Sequence, residues 1–269
     1  MRFGYCANLN FMIADDPRGK DIFDGILAAG YDYLETQLSN LLLLSPAQYA
    51  EFKSRLADAG VPCRANLLLF PGNMPLVGRD RSLHAMIEHV KRVLPIAADL
   101  GSELVVFGNG GTRNIPEGMT GEAVRRQLTD ALQMVNPLAA SYNLKIAIEP
   151  LCRRETNMIN SFPEAVSIAN ECGHATGALF DLYHAATEGQ SPDDILSAPD
   201  KLVHLHIAYP PTRTVPCGAD DKTDYNALAQ AVKACGYDNK VSIEAAVPDG
   251  QDVAASIASA LTTLRHIFA

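Results

Sequence analysis

Four residues near the ends of four apolar runs carry most of the chemistry this chain could do. They are Glu149 closing Ile146-Ala-Ile-Glu149, Asp181 closing Leu179-Phe-Asp181, His206 in His204-Leu-His206, and Glu244 in Ser242-Ile-Glu244. Strand side chains alternate faces, so Ala147 and Glu149 share one face and Ile146 and Ile148 the other. Ser242 and Glu244 likewise oppose Val241 and Ile243. The small or polar face points to a common centre and the β-branched face packs under helices. Three carboxylates sent to one point cannot all stay ionised without a cation, because like charges raise one another's pKa. A divalent metal resolves the conflict, and three oxygens plus an imidazole suit Mn²⁺, Mg²⁺ or Co²⁺ better than a thiolate-rich zinc site. His206 lies nearer the strand end and is the expected ligand. His204, one layer deeper with the same parity, is expected to be a hydrogen-bonded interior histidine. Asp181 alone would read as a helix cap; four such groups on successive strands read as a metal site.

A cation gripped this way polarises a carbonyl and stabilises the enediolate left when the α-carbon loses its proton. Carboxylates on two sides can remove that proton from one face and return it to the other. Glu149 and Glu244, from the fifth and eighth strands, would flank the metal in that arrangement. Return to the opposite face is epimerisation, return to the neighbouring carbon is aldose–ketose isomerisation, and expulsion of a β-hydroxyl is dehydration. These residues leave the three outcomes open.

The elements that must position these groups recur along the whole chain. Strand candidates are Phe3–Ala7, Tyr33–Gln37, Cys63–Leu68, Leu104–Phe107, Lys145–Glu149, Ala178–Asp181, Leu202–Ile207 and Val241–Ala245. Helical patterns lie between them. Ser45-Pro46-Ala-Gln48 and Ser161-Phe-Pro-Glu164 are capping boxes, and Asp16-Pro17 opens a first helix. Gly60, Gly101, Gly173 and Gly236 fall where a helix stops in left-handed backbone. Eight strands and eight helices without a linker predict an α/β fold, a single (β/α)₈ TIM barrel over residues 1–269, with its site at the carboxyl ends of the strands. An open doubly wound sheet would want a glycine fingerprint after the first strand, and Ala7-Asn-Leu-Asn-Phe supplies none. Gly108-Asn-Gly110-Gly111 has Arg113 where a third glycine belongs, so it reads as a barrel loop. Tyr5, Asn66 and Asn109, near other strand ends, are expected to line the pocket. Thr214–Asp224, with Pro216 and Gly218, is expected to cover the mouth.

With 22 basic and 31 acidic residues, the net charge of −9 argues against nucleic acid or an anionic membrane as the partner. No apolar run approaches the roughly 20 residues of a bilayer span, and the amino-terminal segment does not read as a signal peptide. Six cysteines without a CxxC pair fit reduced thiols, hence a cytoplasmic chain.

The motifs Glu149-Pro-Leu-Cys-Arg-Arg-Glu155, Asp181-Leu-Tyr-His184, His204-Leu-His206 and Ile243-Glu244 resemble those of the xylose-isomerase-like TIM barrels. The likeness is greatest to the ketose 3-epimerase (tagatose/psicose epimerase) group. It implies one divalent metal on Glu149, Asp181, His206 and Glu244, Mn²⁺ first, with Mg²⁺, Co²⁺ or Zn²⁺ as the other candidates. It implies that Glu149 and Glu244 act as acid and base, and that Glu155 and His184 contact substrate oxygens. After His206 the family continues Gly-Glu-x-Asn-Arg. Here Ile207-Ala-Tyr209-Pro-Pro-Thr-Arg213 brings the arginine later, with Arg213 matching the family's substrate-binding arginine. The implied function is a metal-dependent sugar isomerase or epimerase, with a small sugar as substrate and a homodimer or homotetramer as the assembly. An inosose-type dehydratase is the alternative on the same site. An abasic-site endonuclease of the superfamily would need three zinc ions and more histidines than the seven here. A non-catalytic sugar-binding barrel would not need both glutamates intact.

Overall fold

Short apolar runs alternate with amphipathic helices, and the computed structural model, which describes residues 1–216 and 223–269, shows what that alternation builds. The strands are Arg2–Ala7 (β1), Tyr33–Gln37 (β2), Cys63–Leu67 (β3), Leu104–Phe107 (β4), Lys145–Ile148 (β5), Thr176–Asp181 (β6), Leu202–Ile207 (β7) and Lys240–Ile243 (β8). They pair in parallel in chain order, and β8 pairs back with β1 to close the barrel. Each crossover carries a helix: Pro17–Ala29 (α1), Pro46–Ala59 (α3), Leu83–Asp99 (α4), Gly121–Ser141 (α5), Phe162–Cys172 (α6), Leu182–Thr187 (α7), Tyr225–Ala234 (α8) and Val253–Ile267 (α9). The expected (β/α)₈ architecture is therefore present, with one addition: a single helical turn, Leu38–Leu41 (α2), follows β2 before α3.

Local punctuation works largely as the sequence implies. At α3, Ser45 accepts from the Gln48 N–H while the Gln48 side chain accepts from the Ser45 N–H, a complete capping box. At α6 only half the box forms. Ser161 accepts from Glu164 N–H, but the Glu164 carboxylate reaches one residue further back, to the Asn160 N–H. Gly60, Gly101 and Gly236 take left-handed backbone. Gly173 does not; its φ of 114° and ψ of 177° lie in a region only glycine enters, with the Asn136 side chain pressed against it.

Closure creates two apolar layers. Outward residues such as Ile146, Ile148, Phe180, Leu205 and Ile243 pack against the helices in one large core. Each such side chain contributes about 2 to 3 kcal/mol by burial. Tyr33, Ala65, Leu67, Leu104, Val106, Ala147 and Leu179 fill the barrel interior. Gly4 makes this possible, since a Cβ there would lie 2.3 Å from the ring of Tyr33. The amino-terminal end of the barrel is held by charge. Glu103 accepts from Arg2 at 2.8 Å and from the buried Lys240 Nζ at 2.7 Å, and these cations draw its carboxyl down to about 2.

β5 and β8 stop one residue before their glutamates, yet both glutamates stay tied to the barrel. Glu149 N–H donates to the Phe107 carbonyl and Glu244 N–H to the Ile207 carbonyl, each at 3.1 Å. The expected mouth cover, Thr214–Asp224, falls mostly on residues 217–222, outside the described residues. At its flanks Thr214 bridges Tyr209 and Ala246, and Asp224 caps α8.

Candidate active site and metal centre

Strand register brings the four acid and imidazole groups together. Asp181 on β6 lies directly opposite His206 on β7, and His206 opposite Ser242 on β8, two residues before Glu244. Nδ1 of His206 sits 3.1 Å from Glu149 Oε1, 3.1 Å from Glu244 Oε2 and 3.9 Å from Asp181 Oδ2. The two readings of Asp181 coexist: Oδ1 caps α7 by accepting from His184 N–H at 2.9 Å, and Oδ2 faces the cluster. His206, Asp181 and Glu149 are buried, while the Glu244 side chain keeps 22% of its surface. Space for the Glu149 carboxylate exists because residue 108 is glycine; a Cβ there would lie 1.7 Å from Glu149 Oε2.

Burial and the neighbouring charges both act on these groups. Burial and then the charge of Glu244 push the Glu149 carboxyl up. Burial would also raise Glu244, but the His206 ring and the Arg213 guanidinium outweigh it and hold that carboxyl near about 2. Burial would lower His206, yet Glu35, Cys6 and Glu149 raise it well above the ordinary imidazole range. One oxygen from each carboxylate and one ring nitrogen lie within 4.8 Å of one another, a donor set that fits a divalent ion.

The other expected site residues surround this cluster. Arg213 donates to Glu155 Oε1 at 3.0 Å and to Glu244 Oε2 at 3.1 Å, and its guanidinium lies 5.0 Å from the Tyr183 ring centre. The chain delivers it through left-handed backbone at φ 54°. That turn is pinned on both sides: Arg213 N–H donates to the Tyr209 carbonyl and its carbonyl accepts from Ala246 N–H. The changed spacing after His206 therefore still brings an arginine to Glu244. Glu155 is a half-exposed loop charge and the partner of Arg213 at once. His184 is buried; its Nδ1 accepts from Cys152 N–H at 3.1 Å, so the proton resides on Nε2, an enclosed atom with no partner among the described residues.

His204 is the expected interior histidine, with Nε2 2.8 Å from Glu35. Tyr5 and Asn66 do not line the mouth. Tyr5 points outward, edge-on to Tyr31, with its hydroxyl donating to the Ala245 carbonyl. Asn66 is fully enclosed and donates to the Thr36 carbonyl. Asn109 folds back to accept from Gly111 N–H, which closes the glycine-rich loop. Two buried charged residues close to the site escaped the sequence reading. Glu35 lies beneath His206, and inward parity on β2 was the available signal. Arg113 donates to the carbonyls of Phe107 and Glu149, bracing the ends of β4 and β5; nothing in the sequence marks it as buried.

Fold and site together define an α/β barrel with an acid-rich, metal-competent centre at its carboxyl mouth. The chain belongs to the xylose isomerase-like TIM barrel family, whose model matches residues 23–266. It is 24% identical over 258 residues to the 3-dehydro-D-guloside 4-epimerase of Escherichia coli (strain K12), covering 90% of this chain and 92% of that one. It is 25% identical over 236 residues to an inosose isomerase of Bacillus licheniformis, covering 82% and 81%. Among solved structures, the D-psicose 3-epimerase of Clostridium cellulolyticum H10 with D-tagatose superposes with a TM-score of 0.82 at 18% identity, covering 100% and 99%.

Proposed function

We propose that this barrel is a divalent-metal-dependent isomerase or epimerase acting on a keto sugar or a related polyol ketone. The observation that carries the reading is the convergence of Glu149, Asp181 and Glu244 on Nδ1 of His206. A divalent cation held by these four residues, Mn²⁺ first, would polarise the substrate carbonyl and make the adjacent C–H acidic. The two named enzyme relatives, one an epimerase and one an isomerase, support a proton transfer beside a carbonyl.

The protein's own groups divide the work. Glu149 and Glu244 leave β5 and β8 on different sides of His206, so they address a sugar in the mouth from two directions. One carboxylate takes the α-proton and the other returns a proton to the opposite face or to the neighbouring carbon. Glu149 is buried, whereas Glu244 keeps 22% of its side-chain surface, so a proton returned from Glu244 is one exchanged with solvent. The Nε2–H of His184, without a partner among the described residues, donates to a substrate oxygen. Arg213, already paired with Glu244 and Glu155, orients substrate hydroxyls and balances negative charge as it develops.

The test is solvent deuterium incorporation into a panel of keto sugars in D₂O, followed by NMR. Wild-type protein with Mn²⁺ exchanges the α-proton; EDTA stops the exchange and added Mn²⁺ restores it. Glu149→Gln and Glu244→Gln each lower it by about 10² to 10⁴-fold with the fold intact. Wild-type rates in both variants, or exchange indifferent to EDTA, would refute the reading.

A further inference from the structure

Beneath the four converging groups lies a second polar layer that the proton transfer does not use. Glu35, on β2, is fully enclosed in a barrel interior otherwise lined by Ala65, Leu67, Leu104 and Leu179. A buried carboxylate persists only where donors satisfy it. Oε1 faces His206 Nε2 at 3.2 Å, and Oε2 faces His204 Nε2 at 2.8 Å and Ser242 Oγ at 2.5 Å. An ionised carboxylate only accepts, so both imidazoles carry a proton on Nε2 and the Ser242 hydroxyl donates to Glu35. Tyr33, 2.8 Å from Ser242 Oγ, must then donate to Ser242. The register shift between β2 and β3 puts the extra residue, Arg64, on β3, so that Leu34 faces Cys63 and Glu35 faces Ala65.

The consequence reaches the metal centre. With its proton held on Nε2, His206 presents a lone pair at Nδ1, the atom that faces Glu149, Glu244 and Asp181. We propose that Glu35 is the positioning residue of this centre: it fixes the tautomer and ring plane of His206 so that Nδ1 is the ligating atom, while His204 and Ser242 hold Glu35 in place. Glu35 touches neither substrate nor metal. The proposal rests on the metal-centre reading given above.

Mn²⁺ titrated calorimetrically into metal-free wild type and Glu35→Gln, with visible spectra of both proteins loaded with Co²⁺, tests it. Glu35→Gln is expected to weaken Mn²⁺ binding by about 10 to 100-fold and to shift the Co²⁺ bands, with circular dichroism unchanged. Glu35→Asp, which keeps the charge but withdraws it by one methylene, should lose less. A measurement on wild type needs no variant to fold: ¹⁵N-histidine NMR of Zn²⁺-loaded protein should show His206 protonated at Nε2 and ligated through Nδ1. Unchanged Mn²⁺ affinity and Co²⁺ bands in Glu35→Gln, or ligation through Nε2 in wild type, would overturn the proposal. A wild type that binds no stoichiometric divalent ion would overturn the underlying reading as well.

Discussion

Glycine at position 108 gives the most direct test of how the site is built. An alanine Cβ there would stand 1.7 Å from Oε2 and 2.9 Å from Cδ of Glu149. Even a 3.0 Å contact requires the carboxylate oxygen to retreat by about 1.3 Å. The far end of a side chain can swing that far at little cost in stability, and Gly108 is not in left-handed backbone. Restricting the unfolded chain should instead stabilise Gly108→Ala by about 0.4 to 1 kcal/mol, offsetting the crowding. Function does not share this tolerance, because a displacement of about 1 Å in a reacting group costs on the order of 100-fold. Gly108→Ala should therefore melt within a few degrees of wild type, lose about 100-fold in deuterium exchange and bind Mn²⁺ more weakly by calorimetry. Gly121→Ala, at the start of α5 with its nearest neighbour at 3.6 Å, is the control and should change neither. Exchange and Mn²⁺ affinity within two-fold of wild type in Gly108→Ala would refute the placement of Glu149.

Three further outcomes follow from the same structure. Arg213→Ala removes the guanidinium that helps hold Glu244 low, so in metal-free protein the Glu244 carboxyl should titrate at higher pH when followed by ¹³C NMR. Glu103 is drawn from an ordinary 4.5 to about 2 in the folded protein, so its carboxylate stabilises the fold above pH 4.5, and that contribution fades as pH falls toward 2. With 38% of its side chain exposed, screening limits it to about 1 kcal/mol, and urea unfolding of wild type and Glu103→Gln should differ by that much at pH 7 and converge toward pH 2. Gly4→Ala would drive a methyl against the Tyr33 ring inside the closed barrel, where neither backbone nor ring can yield easily, and should cost about 1 to 3 kcal/mol by thermal denaturation.

What could be read from the sequence and what could not divide along physical lines. The eight units were legible because each declares itself over a few residues: a β-branched run, a capping serine or aspartate, a glycine stop. Glu149, Asp181, His206 and Glu244 were legible as a group because all four lie within one residue of a strand end and period-two parity gives each the same direction. Parity failed where its reference was misjudged. Tyr5 follows Gly4 and precedes Cys6, and the interior side of β1 belongs to those small residues because Tyr33 fills the space beside Gly4. Tyr5 is thereby turned toward the helices. Asn66 lies beside the register shift between β2 and β3, which no propensity announces.

Glu35 illustrates the deeper limit. In Tyr33-Leu-Glu-Thr-Gln37 it resembles one more polar residue on a strand rim, and its three donors come from residues 204, 206 and 242. Only closure of β8 onto β1 brings those donors across the interior to β2. The residues proposed to grip the metal thus announce themselves locally at strand ends, whereas the residue proposed to orient one of them is defined by the whole barrel. Arg213 lies between these cases: its identity was readable, but its reach to Glu244 depends on a left-handed turn that Tyr209 and Ala246 hold in place. Substitutions at Tyr209 or Ala246 that loosen that turn should reproduce part of the Arg213→Ala defect without removing a charge. An upward shift of the Glu244 titration in metal-free protein smaller than that of Arg213→Ala, with the guanidinium still present, would separate the position of this arginine from its mere presence.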